Sequence, residues 1–209
     1  MIVEQNKCKS VLCLDGMLPF QFLKSCNLPI FAADGAANPL TEHGIIPKLI
    51  IGDLDSVNPE ILKKYPHLKI ADQDYTDFEK SLRFLQEQNL TPAVVVGING
   101  GALDKILMNI NVFIQTDSVF VSEEMVGFTV SGQKTLNLAP STKISIIGFD
   151  NAIVSTEGLK WNLNETSLSF GHFGSYCNRV VNPEVKISAN GLILVLIYTQ
   201  EIQDCGWNS

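Results

Sequence analysis

The chain has 209 residues, enough for one large domain or two small ones with a real hydrophobic core. It is acidic, with 22 Asp and Glu against 15 Lys and Arg and a formal net charge of −7. That balance argues against nucleic-acid or membrane-surface binding, which needs clustered basic side chains, so an anionic substrate would need local help, most simply a divalent cation.

In chain order, "SVLCL" (10–14), "PIFAA" (29–33), "KLIIG" (48–52), "LKIA" (68–71) and "AVVVG" (93–97) read as strands. Unbroken apolar runs of this kind suit strands buried on both faces of a parallel sheet. Helical signals lie between them. "SVNPEILKKY" offers Asn58 as N-cap and Pro59 at the first helical position. "TDFEKSLRFLQEQN" offers Thr76 and Glu79 as a capping box, with Phe78, Leu82 and Leu85 on one face. "GALDKILMNI" places Leu103, Ile106, Leu107 and Ile110 on one stripe. The alternation predicts an α/β doubly wound, mostly parallel sheet domain over residues 1–115.

Beyond a joint at 115–118 the pattern changes. "SVFVS", "VGFTVS", "TLNLA", "KISIIGF", "AIVST", "SLSFG", "VKISA" and "GLILVLIY" are short strand-like segments punctuated by Gly, Asn, Ser and Pro. Asn190-Gly191 is a strong hairpin signal. An all-β sandwich domain over 118–209 is expected.

No stretch reaches the roughly 18 apolar residues of a membrane span, and "GLILVLIY" (191–198) reads as a buried strand. The N-terminus "MIVEQNKCKS" lacks the apolar segment of a secretion signal. Five cysteines (Cys8, Cys13, Cys26, Cys177 and Cys205), an odd number without a C-x-x-C pair, fit reduced thiols and a cytoplasmic location. Cys13, inside an apolar run, reads as core.

Polar residues gather after the strands, where open α/β sheets bind ligands. Asp15-Gly16, "DGAAN" (34–38), "GDLDS" (52–56), "DQDYTD" (72–77) and "GINGG" (97–101) each follow one strand. In extended backbone Asp53 and Asp55 would point the same way, and two carboxylates held together repel unless one is protonated or a cation bridges them. Mg²⁺ takes oxygen ligands of this kind together with substrate phosphates. The pair alone also fits a solvated turn; the Asp72–Asp77 cluster tips the reading towards a metal site. Asp77 fits either a metal ligand or a helix N-terminal carboxylate, and Lys80 either a phosphate ligand or a surface partner of Asp77. Gly100-Gly101 before a helix could offer backbone N–H groups to a phosphate. The turn matches neither the dinucleotide fingerprint nor the P-loop. His43, His67 and His172 have no metal-ligand spacing, and no nucleophile elbow occurs.

"AADGAAN", "GDLDS", "DQDYTDFEKSL" and "GINGGALDKILMNI", with "EGLKWNL" (157–163) and "FGHFGSYCN" (170–178), resemble the thiamine pyrophosphokinase family. The resemblance covers about residues 10–200. It implies ATP with Mg²⁺, transfer of a pyrophosphoryl group to the thiamine hydroxyl with release of AMP, and a homodimer whose sites are shared between subunits. It implies catalytic and metal roles for Asp53, Asp55 and Asp77. Asp34, Gly35, Asn38, Lys80, Gly100, Gly101 and Asp104 would bind ATP. Gln73, Trp161, Ser175 and Asn178 would bind thiamine, with the indole of Trp161 stacked on the cationic thiazolium. A sandwich-core role for Trp161 is the alternative. Ala102 and Lys105 stand where the family usually has Arg and His, which removes a bidentate phosphate contact and leaves a point charge. Two other functions fit the same features: a pyrophosphokinase acting on another alcohol such as a hydroxymethylpterin, and a non-catalytic sensor of nucleotide or thiamine diphosphate.

Overall fold

Six short strands run parallel in the first half of the chain: β1 (Ser10–Cys13), β2 (Ile30–Ala33), β3 (Leu49–Gly52), β4 (His67–Lys69), β5 (Ala93–Val96) and β6 (Val119–Val121). The computed structural model describes residues 7–199; Cys205 lies outside the described residues. The strand order is β4-β3-β2-β1-β5-β6. The chain therefore builds outward from β1 to β4, then returns to the far side of β1. That reversal between β1 and β5 opens the crevice in which such sheets bind ligands. β1, β2 and β5 are buried along their whole length, as their apolar runs predict. β4 differs: as the edge strand it exposes His67 and Lys69 and buries no residue fully.

Five helices connect these strands: α1 (Phe20–Ser25), α2 (Ala37–Glu42), α3 (Pro59–Leu62), α4 (Asp77–Glu87) and α5 (Leu103–Phe113). α1 and α2, six residues each, are too short to show a helical period in sequence. The expected caps are in place. Asn58 accepts from the Glu60 N–H at 2.9 Å. Thr76 Oγ1 accepts from the Glu79 N–H at 3.2 Å, and Glu79 Oε2 accepts from the Thr76 N–H at 2.9 Å. Phe78, Leu82 and Leu85 are buried. In α5 the expectation fails. Asn109, Val112 and Phe113 are the buried residues, while Leu103 and Leu107 are exposed. The face that meets the rest of the unit is set by where the sheet lies, and periodicity alone does not report it.

The chain divides into two compact units, the first ending at Glu123 and the second beginning at Glu124. "SVFVS", grouped in sequence with the β half, instead supplies β6, which pairs parallel to β5 inside the first unit.

The second unit consists of antiparallel strands: β7 (Met125–Asn137), β8 (Lys143–Gly148), β9 (Ala152–Glu157), β10 (Thr166–Leu168), β11 (Ser175–Arg179) and β12 (Glu184–Tyr198). β12 pairs with β7 along its whole length. On its other edge the first half, Lys186–Asn190, takes β9, and the second half, Ile193–Ile197, takes β8. "VKISA" and "GLILVLIY" are thus one strand, and Asn190-Gly191 is not a hairpin. The register slips there, between Ala189 and Ile193. Gly191 is required by close approach: a Cβ on it would lie 2.9 Å from Ala152 Cα. An irregularity inside a long strand and a tight turn ask for the same residues, so the local signal does not separate them.

Candidate active site

The polar loops after β1, β2, β3 and β4 converge with α5 on one cleft of about 430 Å³. Six carboxylates line it, from Asp15, Asp34, Asp53, Asp55, Asp74 and Asp77, with only two lysines, Lys80 and Lys105. Carboxylate oxygens of Asp34, Asp53 and Asp77 lie within 4.8 Å of one another. Three strand ends thus supply one oxygen cluster of the kind that holds a hard divalent cation.

Backbone geometry selects these three. Asp34 begins a single 3-10 turn directly after β2 and has φ of 44°, a left-handed conformation that turns it out of the strand. Gly52, the last residue of β3, permits the close approach. A Cβ there would sit 2.8 Å from Asp34 Cβ and 3.1 Å from Asp77 Oδ1. Gly52→Ala is therefore expected to spread the triad. It should cost about 1–3 kcal/mol by overpacking, read as a lower thermal midpoint, and weaken Mg²⁺ binding in a titration. Leu54 has φ of 67°, so the backbone is not extended through Asp53 and Asp55 and their side chains do not run parallel. Asp55 lines the same cleft but is exposed, with Oδ1 accepting from Ser56 Oγ at 2.9 Å, and its carboxylate is not part of the triad.

Electrostatics differ across the triad. Burial pushes the Asp34 carboxyl above the usual carboxylate range, the Asp77 and Asp53 charges add to that, and the Ser56 and Gly35 hydrogen bonds oppose it. Asp34 is 6% exposed and its Oδ1 has no hydrogen-bond partner, an orphaned buried oxygen that a cation would satisfy. Asp53 is held below the usual range, mainly by the Asp55 N–H and then by Gln73, whose Nε2 donates to Oδ2 at 3.3 Å. Lys80, nearly fully buried, donates to Asp77 Oδ1 at 3.1 Å. Lys105 Nζ donates to Asp15 Oδ2 at 3.0 Å.

Of the other residues singled out in sequence, Gly35 and Gln73 line the cleft, while Asn38, Gly100, Gly101 and Asp104 are not among its lining residues. The Asn38 carboxamide is engaged by backbone: Nδ2 donates to Ser56 O at 2.8 Å and Oδ1 accepts from the Asn58 N–H at 2.9 Å. It fixes the loop that carries Asp53 and Asp55. Sequence reading placed Asp15 and Tyr75 in the converging polar loops but gave them no role, and it did not assign Met108 or Asn109 to the site. Cys13 is fully buried and desolvation raises its thiol pKa far above the ordinary value, which fits its core reading.

In the second unit, Trp161 is 56% exposed, which removes the alternative of a core tryptophan. Its backbone is clamped by Asn178: Oδ1 accepts from the Trp161 N–H at 3.2 Å and Nδ2 donates to Trp161 O at 2.7 Å. Nδ2 also donates to Ser175 Oγ at 3.1 Å. A register shift between Ser175 and Asn178, with Cys177 at φ of 53°, turns both side chains inward. Asn178 and Ser175 therefore hold the Trp161 loop, and the indole is what they present. Lys160 Nζ lies 4.5 Å from the indole centroid.

Residues 20–122 match the family described as thiamin pyrophosphokinase, catalytic domain, and residues 133–194 match thiamin pyrophosphokinase, vitamin B1 binding domain. Thiamin pyrophosphokinase 1 of Caenorhabditis elegans is 30% identical over 187 residues, covering 79% of this chain and 77% of the relative. The chain belongs to the thiamin pyrophosphokinase family. Thiamine pyrophosphokinase 3 of Oryza sativa subsp. japonica is 33% identical over 156 residues, 64% of this chain and 58% of the relative. Thiamine pyrophosphokinase 1 of the same plant is matched over 63% of its length, so the chain spans about three fifths of these two relatives. In fold, the Candida albicans thiamin pyrophosphokinase superposes with a TM-score of 0.80 at 18% identity, covering 94% of this chain and 90% of that one. The Bacillus subtilis thiamine pyrophosphokinase gives 0.77 at 20% identity over 93% of this chain and all of that one. Among the described residues no helix is long and apolar enough to cross a membrane.

Proposed function

We propose that this member of the family is a thiamine pyrophosphokinase: it moves the pyrophosphoryl group of ATP to the hydroxyethyl oxygen of thiamine, giving thiamine diphosphate and AMP. The observation that carries the reading is the convergence of Asp34, Asp53 and Asp77 around a buried, unpaired carboxylate oxygen. All-oxygen donors of this charge fit Mg²⁺. Bound there, the cation would neutralise phosphate charge as a Lewis acid.

The chain's own residues do the rest. Lys80 holds Asp77, and Gln73 holds Asp53 from the side on which it would meet thiamine. Asp55, exposed in the cleft and outside the triad, accepts the hydroxyl proton as the new O–P bond forms and the bond to the AMP oxygen breaks. Gly35 and Lys80 face the nucleotide, and Gly100 and Gly101 on the glycine turn and Asp104 in the first turn of α5 would meet its outer part, beyond the cleft lining. No covalent intermediate is needed, because positioning and charge neutralisation dominate such transfers. The exposed indole of Trp161 supplies a stacking face for the thiazolium, with Ser175 and Asn178 fixing its loop. The helices would cover both faces of the parallel sheet in a doubly wound arrangement, and the β unit would close as a sandwich.

The protein is read as a cytoplasmic homodimer in which each site takes the triad from one chain and Trp161 from the other. Exposed Trp161, Phe173 and Tyr176 support a covered surface there. The test is thiamine-dependent AMP release from ATP and Mg²⁺, followed by the same assay on co-refolded Asp77→Asn and Trp161→Ala proteins. At thiamine well below the raised KM of Trp161→Ala, Asp77→Asn alone is expected to be inactive and Trp161→Ala alone to keep about a tenth of wild-type activity or less, and random mixing should restore roughly a quarter of wild-type activity. AMP release that ignores thiamine overturns the substrate. No recovery in verified mixed dimers overturns the shared site.

A further inference from the structure

The cleft holds an imbalance that the proposed chemistry must resolve: six carboxylates face two lysines. The two lysines are in different situations. The Lys80 side chain is 4% exposed and committed to Asp77 at 3.1 Å. Releasing it would leave a buried charge uncompensated, at high cost. Lys105 is 40% exposed and its partner Asp15 is 53% exposed, with Nζ 3.0 Å from Oδ2. An ion pair this open to water is weak and exchanges partners cheaply.

Lys105 lies in the first turn of α5, and Asn109, one turn further on, is a buried amide that also lines the cleft. Residues four apart share a helix face, so one edge of α5 presents an ammonium and a carboxamide to the cleft. Asp15 follows β1, the strand that pairs with β5 just before α5, and a Cβ on Gly35 would lie 3.4 Å from its Cγ. It is thus seated against the loop after β2, beside the triad.

Resting on the nucleotide reading above, we propose that Lys105 is the cleft's exchangeable phosphate ligand, parked on Asp15 until a nucleotide triphosphate arrives, and that Asp15 sets the affinity by competing for it. On binding, the ammonium leaves the carboxylate for a phosphate oxygen, and Asp15 turns to water. Such a lysine supplies charge where the glycine turn carries Ala102.

The test uses the full chain with Mg²⁺ and an ATP analogue carrying a methylene between the α- and β-phosphates, so that binding is read without turnover, by calorimetry. Lys105→Met keeps the aliphatic stem and is expected to weaken binding about tenfold, the order of one half-exposed charge-assisted hydrogen bond. Asp15→Asn is expected to tighten binding about threefold, and in the Lys105→Met background that gain should vanish. Adenosine, which has no phosphate, should bind all four proteins equally. Triphosphate binding by Lys105→Met within twofold of wild type overturns the proposal, as does a gain from Asp15→Asn that survives the loss of Lys105. Neither result touches thiamine-dependent AMP release by the wild type, which stands or falls separately. No triphosphate binding by the wild type overturns this proposal and the nucleotide reading together.

Discussion

Asp34→Asn is expected to make the metal-free protein more stable and the enzyme nearly inactive. Asp34 ionises reluctantly because it is buried and faces Asp77 and Asp53. Its folded-state pKa is raised, so the native state prefers it protonated more than the unfolded chain does. The resulting destabilisation is fully present above the folded pKa and disappears as pH falls below the unfolded value. Asparagine removes that cost at neutral pH, with an expected rise of about 2–4 °C in thermal midpoint, the response of a chain this size to roughly 1 kcal/mol. The same change removes one of the three carboxylates proposed to hold the cation, and kcat/KM should fall about a thousandfold, the scale of several kcal/mol of lost charge stabilisation. Mg²⁺ should stabilise wild type and not the variant, and wild-type Mg²⁺ affinity should rise with pH through the elevated Asp34 pKa. Near-normal turnover by Asp34→Asn, or equal Mg²⁺ stabilisation of both proteins, would sink the triad assignment.

Asn178→Ala and Trp161→Ala are expected to separate fold from recognition in the second unit. The Asn178 carboxamide is 1% exposed and satisfies both backbone groups of Trp161. Removing it should cost about 3 kcal/mol, since buried donors and acceptors are left without partners. Trp161→Ala, at a mostly exposed side chain, should change stability by no more than about 0.5 kcal/mol. It should nevertheless raise the KM for thiamine on the order of tenfold or more through the lost stacking face. Thermal melts and initial rates on the two variants give the comparison. Equal destabilisation by both would mean that the indole packs rather than presents.

Much of this was legible because it is encoded locally. The apolar runs at β1, β2, β3 and β5 are strands because their side chains have nowhere polar to go. The capping box of α4 is a contact between residues three apart, readable without the fold. The clustering of aspartates at strand ends was legible for the same reason. The membership of the triad was not. Asp34 joins it through a left-handed turn and through Gly52, whose missing Cβ matters only once β2 and β3 lie side by side. Asp55 looked equivalent to Asp53 while the backbone was taken as extended; the turn at Leu54 separates them. The bonds of Asn178 to the Trp161 backbone, set by the slip in β11, were not legible either. α5 leaves Leu103 and Leu107 of its apolar stripe exposed and Ile106 and Ile110 half-buried, because neighbours, rather than periodicity, decide which face is covered. In each case the deciding contact is between residues distant in sequence.

The long strand β12 has a consequence for synthesis on the ribosome. It is the last described strand, yet β7, β8 and β9 all pair with it, and β10 and β11 depend on β9 and β8. The first unit has its own last strand, β6, by Val121 and can finish while later codons are still being read. The second unit cannot close any ladder to its spine until Glu184–Tyr198 has emerged. At about 5–20 residues per second, β7, β8 and β9 wait several seconds with the edges that face β12 open, while β8 can pair with β11 and β9 with β10. Apolar segments such as "KISIIG" in β8 are therefore expected to present an open edge during translation, even though they are mostly buried once folded.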